Sequence, residues 1–427
     1  MKKALLAIIM ATTGTMAEAQ NFDDFFEDRT LRLDYVFSGN VTQQEISLDK
    51  LCVSPRWYGK RQRLADLPIE GNGQITVRSH KTGEVIYRNS FSTLFQEWLS
   101  YPEAETTRQS FENVFIVPMP KDTVDVTVDL RNNRREIMTT MTHQVVPTDI
   151  LIRHIGEKNR TPYRTMQQPA DSTRCIHIAY VAEGYRADEM GTFIDDVNEA
   201  NEAFFAHEPF KSMRDRFMVV AVESASEDSG TSEPAKGIWK NTVLHSHFDT
   251  FYSSRYLTTL QLKDLHDVLA GIPYEHIIVL VNSERYGGGG ILNSYNLTST
   301  HHAHYKPVVV HEFGHSFAGL GDEYAYEQEQ IPMYPKDVEP WEPNLTTLVD
   351  FHGKWENLIK KGTPVPTPPS KDAKTIQERV GLFQGGGYNL TDVYRGVQDC
   401  RMRTNENPEF CIVCKQALTR LIDFYTK

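Results

Sequence analysis

From about Thr30 to Val146 apolar and polar residues alternate in short runs, as in Gln74-Ile75-Thr76-Val77-Arg78 and Val124-Asp125-Val126-Thr127-Val128. A period of two turns one side of each run toward a core, and segments such as Lys81-Thr82-Gly83-Glu84 supply turns between runs. The pattern predicts an antiparallel β-sandwich of about a hundred residues. No catalytic constellation stands out in it. Its expected role is to pack on and orient the C-terminal part of the chain, with a substrate- or surface-binding module as the other reading.

After about Asp149 the period changes and β-rich runs alternate with helical ones. Ile176–Val181, Phe217–Val222 and His276–Val281 read as buried strands. A helix with Met190, Phe193, Ile194, Val197 and Phe204 on one face follows the first, and another helical stretch near Leu260–Leu269 precedes the third. Strands joined by crossover helices imply a twisted, mostly parallel sheet, so the fold class is α+β or α/β behind an N-terminal sandwich. Tyr286-Gly287-Gly288-Gly289-Gly290-Ile291-Leu292-Asn293 is a glycine run leading into an edge-strand candidate, and it lacks the lysine and spacing of a phosphate cradle. Pro364, Pro366, Pro368 and Pro369 mark an exposed loop.

Length and charge narrow the picture. A chain of 427 residues exceeds what one core usually serves, and the expected division is a leader over 1–19, a sandwich over 20–150 and a second domain over 151–427. The leader reads from Lys2 and Lys3, the apolar run Ala4–Met10 and Ala17-Glu18-Ala19, the order of a secretory signal peptide cleaved before Gln20. Export follows as an expectation, with periplasm, cell surface and medium undistinguished. No later segment offers the ~20 apolar residues of a membrane span. A formal charge of -12 without a basic stripe argues against a nucleic-acid partner. The five cysteines are too scattered for a disulfide scaffold.

The chemistry concentrates in His311-Glu312-Phe313-Gly314-His315. Pro307 to Phe317 reads as a helix, with proline in its first turn and Gly319 and Gly321 to stop it. One helical turn puts His311 and His315 on the same side, so both imidazoles reach one Zn2+, the one catalytic ion expected, while Glu312 addresses a water beside it as general base. A catalytic zinc has three protein ligands and an open position. Asp322, reached through the reversal at Gly319-Leu320-Gly321, is the preferred third ligand, and Glu323 is its rival. Tyr324, Tyr326 and Tyr394 are candidates to stabilise an oxyanion.

The string from His311 through Asp322-Glu323-Tyr324 resembles the signature of the bacterial IgA peptidase family of zinc metallopeptidases. Ala182-Glu183-Gly184-Tyr185, Phe248-Asp249-Thr250-Phe251, Tyr286–Gly290 and Cys400-Arg401-Met402-Arg403 extend the likeness over about 150–427. The upstream sandwich is similar to the family's usual N-terminal domain. The resemblance implies a metzincin-like unit, with an edge strand around Gly289, Gly290, Ile291 and Leu292 that pairs with an extended peptide. It also implies a methionine turn at Met402 beneath the metal. Measured against HExxHxxGxxH, Gly319 and Asp322 come one residue late, a shift that is normal for the family and supports Asp322 as ligand.

Weaker signals are read blandly. His301, His302 and His304 are taken as polar loop histidines, and His245 and His247 as structural. Cys400, Cys411 and Cys414 suggest a second zinc without an evident fourth ligand, so a disulfide or buried thiols is the preferred reading. The expected function is an exported zinc endopeptidase acting on protein or peptide substrates. Its alternatives are a zinc amidase acting on cell-wall peptides and an adhesion protein with a vestigial peptidase domain. The family's name does not assign immunoglobulin as the substrate.

Overall fold

The computed structural model describes residues 21–327, 333–372, 376 and 378–427. The expected leader lies outside the described residues. After a short helix α1 (Phe22–Phe25) come β1 (Phe26–Gly39), β2 (Gln44–Pro55), β3 (Gly73–Ser79), β4 (Val85–Phe91), helix α2 (Leu94–Trp98), β5 (Gln109–Pro120), β6 (Val124–Arg131), β7 (Ile137–Val145) and β8 (Arg153–His154). They form two four-stranded sheets, ordered β5-β1-β2-β8 and β4-β3-β6-β7. The sheets pack face to face. Leu31, Leu33, Tyr35 and Phe37 of β1 bury the side chains that alternation predicts. Across the core Phe91 meets Phe115 with ring centroids 4.2 Å apart. The two-residue β8 pairs in parallel with β2, so the first sheet extends past residue 150.

The second unit holds β9 (Tyr163–Gln167), β10 (Ile176–Glu183), α3 (Met190–Ala206), β11 (Phe217–Val222), α4 (Leu262–Val268), β12 (His276–Val281), β13 (Gly288–Ile291), β14 (Tyr295–Ser299) and α5 (Tyr305–Ala318). β15 (Leu345–Thr346), β16 (Phe383–Gly386), β17 (Asn389–Arg395) and helix α6 (Ile412–Thr426) complete it. Its main sheet has six strands, ordered β13-β14-β12-β10-β11-β9. The four central strands run parallel, and β9 and β13 close the edges antiparallel. Every residue of β10 and β12 is buried, as a strand covered on both faces requires. Ile176, Ile178, Tyr180 and Ala182 face the layer of α3, α5 and α6, while Ala179 and Val181 face α4 and the sandwich.

The units meet through charge as well as apolar area. Arg32 and Asp34, on the opposite face of β1 from its core residues, are buried, and Arg32 donates to Asp34 at 2.6 Å and to Asp267 of α4 at 2.5 Å. This polar face of β1 is therefore an internal seam. Among the described residues no helix is long and apolar enough to cross a membrane.

Candidate functional site

Helix α5 begins two residues before the predicted start, leaving Pro307 in the first turn, where a missing N–H costs no hydrogen bond. It ends at Gly319, whose φ of 56° is the left-handed conformation that favours glycine. A side chain there would also strike the Trp341 ring, 2.4 Å from an added Cβ. The reversal turns the Leu320 carbonyl back toward the helix, where it accepts from His315 Nδ1 at 2.5 Å.

The glycine run explains the helix's position. A Cβ on Gly290 would lie 2.4 Å from the Glu312 carbonyl oxygen, and one on Gly288 would lie 2.7 Å from Glu312 Oε1. Strand β13 thus lies directly over α5 because side chains are absent from the contact. Its hydrogen-bonded neighbour in the sheet is β14, and Gly288–Gly290 line the cleft. Of the four residues expected on the edge strand, Gly289, Gly290 and Ile291 belong to β13, while Leu292 lies beyond it. Leu292 is buried and its carbonyl accepts from Ser92 N of the sandwich at 3.1 Å, so it ties the units together rather than extending the edge.

His311 and His315 stand one turn apart with ring centroids 4.7 Å apart. His311 Nδ1 donates to the Arg401 carbonyl at 3.0 Å, just as His315 donates to Leu320. Both Nε2 atoms are thereby turned inward, 3.0 Å from each other. Asp322 Oδ1 joins them at 3.1 Å from His311 and 3.2 Å from His315. With each Nδ1 donating to a carbonyl, both Nε2 atoms and a carboxylate oxygen converge on one point, a group that could hold a metal ion once His315 gives up its second proton. Zinc arms of about 2.0–2.1 Å give a tetrahedral edge of roughly 3.3 Å, close to the three distances seen, so the donor set fits zinc.

Electrostatics agrees with this. Burial alone raises the Asp322 pKa, but His315 and His311 outweigh it and hold the carboxyl well below its ordinary value. Burial lowers His315, and the Asp322 charge and hydrogen bond reverse that, bringing it to about 9. Glu312 lines the same cleft, and its removal from water pushes its carboxyl up, against the pull of the two histidines.

Several contributors have no local signature in the sequence. Tyr388, in the turn between β16 and β17, donates to Asp322 Oδ2 at 2.9 Å, and its hydroxyl lies 3.0 Å from that of Tyr324. The same turn pins the loop by Gly387 N to Asp322 O at 2.7 Å. Glu97, from the sandwich, also lines the cleft and accepts from Tyr256 at 2.6 Å. Burial lifts its carboxyl to about 7 against that hydrogen bond. The sandwich therefore contributes to the site, where the sequence suggested no chemistry in it.

Other expected residues sort by position. Tyr324 and Tyr326 stack at 5.3 Å on the cleft wall. Tyr394 lies on β17, opposite Thr346 and Gln384, and is not among the residues that line the cleft. Met402 is fully buried under α5, its sulfur 2.8 Å from a Cβ built on Gly314. Glu323 turns away from the histidines and meets Cys400, Cys411 and Cys414, because successive residues of an extended segment face opposite sides. All five cysteines are buried and free. His301 pairs with Asp196 at 2.9 Å, away from the cleft lining. The cleft has a volume of about 1220 Å³ and runs between the sandwich and the second unit.

Comparison with protein families places this geometry. The family model described as IgA Peptidase M64 matches residues 165–379 and 371–422, and the one described as Peptidase M64 N-terminus matches 21–142. No curated protein matches the chain.

Proposed function

The chain belongs to the IgA peptidase M64 family, and on that premise we propose that it is a zinc-dependent endopeptidase in which His311, His315 and Asp322 hold the ion and Glu312 is the general base. One observation carries the reading: the two inward Nε2 atoms and Asp322 Oδ1 converge within 3.0–3.2 Å of one another, beside Glu312, at the floor of a cleft. A zinc ion bound there supplies Lewis acidity, bringing a water's pKa to about 7 and polarising the scissile carbonyl. Glu312 takes the proton of the attacking water and passes it to the leaving amine, and its raised pKa suits both transfers. The Arg401 and Leu320 carbonyls fix the tautomers and planes of the two imidazoles. Tyr388 holds the Asp322 oxygen that faces away from the histidines.

A cleft of about 1220 Å³ exceeds the ~300–1,000 Å³ typical of small-molecule pockets and suits an extended chain. Strand β13 lies at the sheet edge with its Gly288 carbonyl already accepting from Leu257 N at 3.5 Å, so this reading assigns strand addition to Gly290 beyond that contact. Edge strand, helix and the buried Met402 beneath it support a metzincin-like description of the unit. Tyr324 and Tyr326 are the oxyanion donors this reading favours, from their place on the cleft wall. We also propose export, on the strength of the charged, apolar and small-residue order of residues 1–19.

The test is Glu312→Gln, assayed on a peptide library with metal content measured in parallel. The variant keeps the histidine-site zinc and loses hydrolysis by at least ~100-fold, the lower range for general acid–base catalysis. Hydrolysis at the wild-type rate would sink the mechanism.

A further inference from the structure

Behind the wall that carries Asp322 lies a second donor cluster. Cys400, Cys411, Cys414 and Glu323 each offer an atom, all within 4.8 Å of one another, and all four residues are buried. Cys400 Sγ is 3.7 Å from Cys414 Sγ, and Cys414 Sγ is 3.2 Å from Glu323 Oε1. A tetrahedral ion with sulfur arms of about 2.3 Å sets its sulfurs roughly 3.8 Å apart, whereas a disulfide needs about 2.0 Å. The observed spacing matches the ion.

Three further features point the same way. Glu323 Oε2 is buried with no hydrogen-bond partner among the described residues. A disulfide between any two of the thiols leaves that oxygen orphaned and the third cysteine unused, whereas a cation satisfies all four residues together. The cluster is also supported from outside. Cys411 is the N-cap of α6 and Cys414 lies in its first turn, where the helix dipole favours thiolates. The Cys411 N–H donates to Cys400 Sγ at 3.2 Å, and Asn344 Nδ2 donates to Glu323 Oε1 at 3.0 Å. Burial pushes the Glu323 carboxyl well above its ordinary value, and the buried Arg395 opposes this only in part.

We propose that Cys400, Cys411, Cys414 and Glu323 bind a second zinc ion, a closed thiolate-rich structural site separate from the histidine cluster. Four protein ligands leave no open position for substrate, and none of the four residues lines the cleft. The ion joins the loop after α5, the turn at Met402 and the start of α6. Glu323 N donates to Met402 O at 2.8 Å, and Arg401, between Cys400 and Met402, supplies the carbonyl that orients His311. The site therefore braces the wall from which Asp322 and the His311 carbonyl partner project. It stands whether or not the histidine cluster binds zinc.

The experiment uses the full chain purified without chelator. Elemental analysis is expected to give about two zinc ions per chain, and titration of the denatured, unreduced protein in chelator to give five free thiols, the full cysteine count. After cobalt exchange, an intense near-ultraviolet thiolate-to-cobalt band is expected in the wild type and in His311→Ala/His315→Ala, which loses about one zinc. It disappears in Cys411→Ser/Cys414→Ser. If that last variant fails to fold, the first two proteins decide. A wild type without the band, or one with three free thiols and a disulfide, overturns the proposal, whereas loss of hydrolysis alone bears only on the histidine site.

Discussion

Asp322 and Glu323 are adjacent in the chain and face opposite sides of one wall. Asp322 Oδ1 is 3.1 Å from His311 Nε2, while Glu323 Oε1 is 3.2 Å from Cys414 Sγ. Their substitutions should therefore separate. Asp322→Ala is expected to weaken zinc at the histidine site by more than the ~10–100-fold that loss of an outer partner costs, and to abolish activity in zinc-buffered assay. Glu323→Gln should retain that ion and a measurable activity while lowering the melting temperature. Equal loss of histidine-site zinc in both variants would show that the two acids act on one ion.

Gly288 is the second place where a small change should have a directed effect. A Cβ there meets the far end of the Glu312 side chain, 2.7 Å from Oε1, and Val308 Cγ1 at 3.0 Å. Both neighbours are side-chain atoms that can move. Gly288→Ala should consequently fold, with kcat reduced on the order of 100-fold by displacement of the base and zinc retained. Gly290→Ala instead drives a Cβ to 2.4 Å from the Glu312 backbone oxygen, and should destabilise the protein as well. Unchanged kcat in Gly288→Ala would mean that the Glu312 carboxylate works from another position.

Tyr388 supplies the third prediction. Its hydroxyl donates to the Asp322 oxygen opposite the histidines at 2.9 Å, which orients the carboxylate and tempers its charge. Tyr388→Phe removes the hydroxyl and keeps the ring, so the fold should hold while zinc affinity falls by roughly 10–100-fold. Activity should return at high free zinc. If added zinc restores nothing, Tyr388 acts on substrate directly.

The local parts of this site were legible because local rules made them. Helical period aligned His311 with His315, and Gly319 forced the reversal that brings Asp322 back. The buried strands read as apolar runs because both faces of the sheet are covered. Tyr388 and Glu97 were not legible, since they arrive by contacts spanning 66 and 159 residues and carry no spacing signal. Glu323 shows a different limit. Composition made it a rival ligand for the histidine site, but which side of an extended segment it faces depends on packing against Cys400 and α6. The glycine run had a legible breakpoint and an illegible cause, the approach of α5 to β13.

The charge balance at His315 leads to a pH dependence of metal binding. Without metal, burial disfavours the charged ring, but Asp322 reverses this and raises the pKa to about 9. A folded pKa above the unfolded value of ~6.5 means the protonated ring stabilises the metal-free protein fully below ~6.5, and that this contribution is lost as pH rises through about 9. Asp322 stays ionised throughout, since its pKa is held well below the ordinary carboxylate value. Zinc needs the neutral imidazole, so over roughly pH 6.5–8.5 it must displace roughly one proton from His315, and apparent affinity should rise ~tenfold per pH unit. The measurement is the free zinc giving half-maximal peptidase activity in an assay metal-buffered over a range that leaves thiolate-bound zinc in place, as the cobalt-band experiment can verify. A half-activating concentration that stays constant across this range would mean that His315 is already neutral in the metal-free protein, and that Asp322 does not hold a proton on it.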